Sequence, residues 1–234
     1  AMGLTNTHFA NPHGLDQARH YSTVRDLVAL GQQTLQRPFL RQVVARREAR
    51  IAGPGGRGSR LLRSENDLLA IDRDADGIKT GHTGGAGYAL VAHAHRRTTD
   101  VELYAALIGS PSRAQRARDT KRLLDWGFSQ YLRVVPLRAH QLIVQVPVRD
   151  RPGVTAPLVV DTELAVTVKV GHKLKRTIVA PAELVAPIPA GAVIGEVRIT
   201  DGVRVVGVRK LVVVQAIDGP GIAERIRAGI GRLV

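Results

Sequence analysis

Lys79, Thr80, Gly81, His82 and Thr83 follow one another inside the run DGIKTGHTGGAGY, Asp76 to Tyr88. A lysine ammonium and two threonine hydroxyls in such a row can hold a carboxylate by charge-assisted hydrogen bonds. If the row is a strand, its free backbone N–H and C=O groups can pair with an extended peptide. Gly81 then keeps a Cβ out of the path of that peptide. The N–H of His82, just past the glycine, is placed to serve as half of an oxyanion hole. The plain alternative is a polar hairpin whose lysine is simply solvated, and three letters alone do not choose between the two.

Histidine pairs offer a different chemistry. His8 and His13, or His93 and His95, are possible metal ligands, and His93 and His95 fall on one face of a strand. No third histidine or carboxylate spacing joins either pair, so packed or solvent-facing histidines account for them.

The elements around the run can be read from pattern. Tyr21–Gln36 carries Val24, Leu27, Val28 and Leu35 at helical spacing, with Ser22 or Thr23 as N-cap, Asp26 in the first turn and Pro38 as the stop. Ile51–Arg60 is a glycine-rich connector, a mobile loop or a hairpin tip. Tyr88–His95 and Val101–Ile108 predict two strands joined by the polar turn Arg96–Asp100. Ser110–Leu132 predicts a helix capped by Ser110, with Ala114, Ala117, Leu124 and Phe128 on one face. Beyond Arg133, valine- and isoleucine-rich runs such as LAVTVKV and AVIGEVRI alternate with Gly, Pro and Asp, the texture of a small all-β domain. The expected organisation is 1–132, 133–219 and a basic amphipathic tail over 220–234, packed on its own domain or lying on a membrane surface.

Composition narrows the classes. The 234 residues are 44% hydrophobic, an ordinary globular value, and contain no cysteine for a disulfide, thiolate nucleophile or thiolate metal site. The formal charge is +14, yet only 3% of residues are aromatic and the cations are spread evenly. That argues against nucleic acid and for a generally basic surface facing anionic envelope material. No apolar run reaches transmembrane length.

In order, GLTNTHFANPHGLD (Gly3–Asp16), YST-x-x-DL from Tyr21, N-x-LL at Asn66–Leu69, DGIKTGHTGGAGY and RLLDWGF (Arg122–Phe128) resemble the low-molecular-mass penicillin-binding proteins. These are the serine-type D-alanyl-D-alanine carboxypeptidases of bacterial cell-wall metabolism. The resemblance implies an α/β (α+β) fold, the C-terminal part of a transpeptidase/β-lactamase-like domain, followed by a small all-β domain. It also implies an exported protein that needs no cofactor, with peptidoglycan stem peptides and β-lactams as partners. Carried over by position, Lys79 sets the site electrostatics and binds the carboxylate with Thr80 and Thr83. Gly81 lies against the substrate, and His82 gives its backbone N–H to the oxyanion. Arg116 assists carboxylate recognition, with Arg113 as competitor.

One part of the family pattern is missing. None of Ser22, Ser59, Ser64, Ser110, Ser112 and Ser129 has lysine three residues on, so S-x-x-K, and with it an activated nucleophile, is absent. Ser64-Glu65-Asn66 spells S-x-N but stands only 13 positions before Lys79, and Asn66 reads as a turn residue instead. The expectation is a companion N-terminal polypeptide that carries the serine, without which the chain is inactive. A non-catalytic envelope-binding module is the alternative.

Overall fold

The computed structural model describes residues 2–219 and 221. The chain divides into two compact units between Leu132 and Arg133.

In the first unit, helix α1 (Val24–Leu35) starts where Thr23 Oγ1 accepts the Asp26 N–H at 3.1 Å. Thr7 Oγ1 donates to Asp26 Oδ2 at 2.6 Å, and His8 and Tyr21 form an antiparallel bridge, so residues 5–22 are stitched to the start of α1. Pro38 does not merely stop α1. It occupies the first position of a second helix, α2 (Pro38–Val44), where its missing N–H costs nothing. The glycine-rich connector is a hairpin tip: β1 (Glu48–Ala52) and β2 (Ser59–Arg63) pair antiparallel around a 3₁₀ turn at Pro54–Gly56.

After the short helix α3 (Leu68–Ile71), an antiparallel meander follows: β3 (Ala75–Thr83), β4 (Gly87–Arg96) and β5 (Val101–Ser110). Their order is β3-β4-β5, which leaves β3 and β5 as edges. Leu90, Ala92 and Ala94 alternate along β4 and are buried with Val101, Ala105, Leu68, Leu124 and Phe128. The last two come from helix α4 (Arg113–Gln130). Ser112, not Ser110, caps α4: its Oγ accepts the Gln115 N–H at 3.1 Å, while Ser110 is the last residue of β5. Ser110 is still paired with Tyr88 in the β4–β5 ladder, so the helix begins two residues later. Ala114 is exposed rather than part of the packed face, and that face includes Arg116 and Thr120.

The second unit is all β. Strands β6 (Tyr131–Leu137), β7 (Leu142–Pro147), β8 (Thr155–Val160), β9 (Leu164–Lys169), β10 (Leu174–Val179), β11 (Val193–Asp201) and β12 (Arg204–Val213) form a five-stranded sheet, β10-β11-β12-β8-β7, and a β6-β9 pair. Leu158, Val160, Val197, Ile199, Leu211 and Val213 are almost wholly buried. The helix of the first unit ends at Gln130, so Tyr131 and Leu132 belong to β6. The amphipathic segment expected over 220–234 lies outside the described residues apart from Gly221. Among those residues, no helix is long and apolar enough to cross a membrane.

Candidate functional site

The five motif residues occupy the second half of β3, an edge strand whose only partner among the described residues is β4. Lys79 stands opposite Val91, Thr80 opposite Leu90, Gly81 opposite Ala89, His82 opposite Tyr88 and Thr83 opposite Gly87. Lys79, Gly81 and His82 are exposed; Thr80 and Thr83 are half-buried. Lys79 and Thr80 border a groove of about 480 Å³ with Ile78, Asn66 and Val43. The Lys79 ammonium turns back to donate to the carbonyl of Thr80. A Cβ added at Gly81 would meet nothing closer than Ala89 Cβ at 3.9 Å, an ordinary contact. Packing within the chain therefore does not require glycine at that position.

The turn after β3 is fixed from a distance. Asp16 accepts the Gly85 N–H through Oδ2 at 3.1 Å and hydrogen-bonds the Thr83 hydroxyl. Thr83 Oγ1 in turn accepts the Ala86 N–H at 3.0 Å. The Thr83 hydroxyl and then the Gly85 N–H hold the Asp16 carboxyl below its ordinary range, although the side chain is open to solvent. His82 stacks on Tyr88 with ring centroids 4.0 Å apart, and so faces its cross-strand neighbour.

Arg116 sits behind this wall. It is 3% exposed, donates from Nη2 to the carbonyl of Glu65 at 2.7 Å, and reaches the carbonyl of Ala89 at 3.5 Å. Its guanidinium carbon lies 5.8 Å from the Tyr88 ring centroid, and burial pushes its pKa down. Ala89 is the partner of Gly81, so Arg116 braces the strand that backs the motif. Arg113 is engaged elsewhere: Nε and Nη2 grip both oxygens of Asp67 at 2.6 Å, which lowers the Asp67 carboxyl.

The histidines considered as metal ligands have other employment. His93 is fully buried on β4 and bonded through Nδ1 to Asp76, with its ring 4.6 Å from that of Tyr104. His95 bonds Asp100 at 2.9 Å, and His8 bonds the carbonyl of Arg19 at 2.6 Å. Among the described residues no cluster of three His, Cys, Asp or Glu is arranged to hold a metal ion. Sequence reasoning missed Asp16, Tyr88 and Asp76, because each acts through a partner distant in the chain.

Comparison with known proteins follows the same two units. The D-alanyl-D-alanine carboxypeptidase family model matches residues 1–111, and the model for the penicillin-binding protein 5 C-terminal domain matches residues 134–218. The D-alanyl-D-alanine carboxypeptidase DacA of Escherichia coli K12 is 34% identical over 220 residues, which is 93% of this chain and 53% of that protein. Penicillin binding protein 5 from Haemophilus influenzae superposes with a TM-score of 0.58 at 27% identity, covering 93% of this chain and 62% of the other. The Streptomyces K15 DD-transpeptidase superposes with a TM-score of 0.51 at 29% identity, over 55% of this chain and 50% of the other. The chain spans about half the length of the curated relatives it matches.

Proposed function

Because the chain belongs to the D-alanyl-D-alanine carboxypeptidase family, the low-molecular-mass penicillin-binding proteins, we propose that it supplies the carboxylate-binding wall of a serine D,D-carboxypeptidase. The substrate is a peptidoglycan stem peptide ending in D-Ala-D-Ala, and the whole protein acts outside the cytoplasm. One observation carries this reading: Lys79 to Thr83 lie along the free edge of a sheet, with Lys79 and Thr80 bordering a groove.

The residues divide the chemistry as follows. The ammonium of Lys79 swings from the Thr80 carbonyl to the terminal carboxylate, joined there by the hydroxyl of Thr80 and by that of Thr83 as its proton turns from Asp16 to the substrate. The edge of β3 pairs with the extended peptide, and bare Gly81 lets it approach closely. The N–H of His82 stabilises the oxyanion as a tetrahedral centre forms. Arg116 assists from behind β4, holding Ala89 opposite Gly81 and adding positive potential to the carboxylate site. The attacking serine comes from polypeptide outside this sequence. Its hydroxyl attacks the penultimate carbonyl, D-alanine leaves as the free amine, and water hydrolyses the resulting ester. β-Lactams acylate the same serine.

Labelling with a fluorescent penicillin tests this. The longer protein, or this chain together with the serine-bearing polypeptide, takes the label on that polypeptide, and this chain alone stays dark. Label on residues 1–234 would defeat the assignment of the nucleophile. Absence of label from the longer protein would instead favour a non-catalytic envelope-binding module.

A further inference from the structure

Asn66 stands in the turn between β2 and α3, and its backbone is held on every side. Its N–H donates to Ser64 Oγ at 3.2 Å, and its carbonyl accepts from the Leu69 N–H at 3.1 Å. The residue before it, Glu65, gives its carbonyl to Arg116; the residue after it, Asp67, is gripped by Arg113. The side chain is different. Asn66 is 6% exposed, yet neither Nδ2 nor Oδ1 has a hydrogen-bond partner among the described residues. It borders the same groove as Lys79 and Thr80.

A buried primary amide with both ends unsatisfied is uncommon, because each end has lost water without gaining a partner. Its partner comes from outside the described residues, from a ligand in the groove or from the serine-bearing polypeptide, and its chemistry can be read from the amide. A carboxamide presents one acceptor and a donor side by side, the complement of the N–H and C=O that one extended residue turns to the same side. It carries no charge, so it is ill-suited to the terminal carboxylate that Lys79 attracts.

We propose that Asn66 reads the backbone of one extended residue of the stem peptide upstream of the D-Ala-D-Ala unit, Nδ2 donating to that residue's carbonyl and Oδ1 accepting its N–H. This rests on the carboxypeptidase reading above and adds a determinant of substrate length to it. A ligand that lacks that upstream residue leaves the amide desolvated and unpaired, and sites of that kind discriminate strongly. Asn66 would thus favour stem peptides over shorter acyl-D-Ala-D-Ala compounds.

The test compares the full-length protein with its Asn66→Ala and Asn66→Asp variants on two substrates. One is a pentapeptide ending in D-Ala-D-Ala; the other is N-acetyl-D-alanyl-D-alanine, which has no upstream residues. The expected result is a roughly ten- to hundredfold fall in the pentapeptide-to-dipeptide ratio of kcat/KM, carried by KM for the pentapeptide. Asn66→Asp keeps the shape, loses the donor and shows the same loss. An equal fall on both substrates, or a lowered Tm with the ratio intact, would overturn the proposal and give Asn66 to the serine-bearing polypeptide. A wild-type protein that cleaves neither substrate would instead remove the carboxypeptidase reading, before any variant is measured.

Discussion

At Asp16 one carboxylate meets donors from a turn 69 residues away, and it does so in full contact with water. Exposed hydrogen bonds of this sort add little to global stability, but here the bond partners are Thr83 and the glycine two residues past it. What the contact secures is the position of a hydroxyl that the proposed mechanism uses. Its pH dependence follows from the depressed pKa. Above its ordinary 3.8 the carboxylate is charged in folded and unfolded chains alike, and the tether contributes fully. The contribution is lost as pH falls through the lower, folded value, so the tether is constant across the neutral range. Carboxyl NMR titration should place the Asp16 midpoint below 3.8, and Thr83→Val, which removes the largest cause, should bring it back toward 3.8. A midpoint indifferent to Thr83→Val would refute the attribution. Asp16→Asn should speed amide exchange at Gly85 without unfolding the protein.

Among the elements, α1 shows how tightly the motif strand is backed. A Cβ on Gly31 would fall 2.9 Å from Val91 Cγ1 and 3.0 Å from Ile78 Cδ1. Ile78 immediately precedes Lys79, and Val91 is its cross-strand partner. Gly31→Ala gains about 1 kcal/mol of helix propensity but forces an overpacked contact that costs about 1–3 kcal/mol. The net expectation is a loss of about 1 kcal/mol in urea denaturation. A more stable variant would show that α1 can retreat from the sheet. The elements also show which parts of the fold were legible beforehand. Helix α1 announces itself by periodicity and strands β4 and β5 by apolar runs between turn signals, although β4 is covered on both faces, by α4 and by α1. Helix α2 does not, since a proline that can stop one helix can equally begin the next. The choice between Ser110 and Ser112 turned on strand pairing, because Ser110 stays on the ladder opposite Tyr88. Strand β10 went unread because Lys175 and Arg176 interrupt its apolar pattern. Of the candidate site, the row on β3 was readable from residue types. The burial of Arg116 was not, because a guanidinium is seldom enclosed unless carbonyls such as those of Glu65 and Ala89 converge on it.

At the scale of the whole chain, the first unit keeps an unfinished surface. Among the described residues strand β5 has an unpaired edge, and beside it lies an apolar groove of about 500 Å³ bordered by Val24, Val28, Leu103, Leu123 and Trp126. Trp126 is 62% exposed, a large apolar area to leave in water. Edges and faces of this kind invite a further strand or promote aggregation. If the serine-bearing polypeptide completes the sheet, this chain alone should bind 8-anilinonaphthalene-1-sulfonate strongly, and the longer protein should bind it weakly. Equal dye binding by both would mean that the groove is not where the companion packs.

The contact between Asp16 and the β3–β4 turn constrains anyone who would transplant the Lys-Thr-Gly hairpin. Moved as a cassette of residues 75–96, it would arrive without the carboxylate that holds Thr83 and Gly85. A working graft must therefore include the ribbon from Thr5 to Ser22, whose bonds to Asp26 and Tyr21 carry Asp16 into place. Chimeras between relatives that cut the two segments from different parents should lose hairpin order wherever residue 16 and the turn were not inherited together.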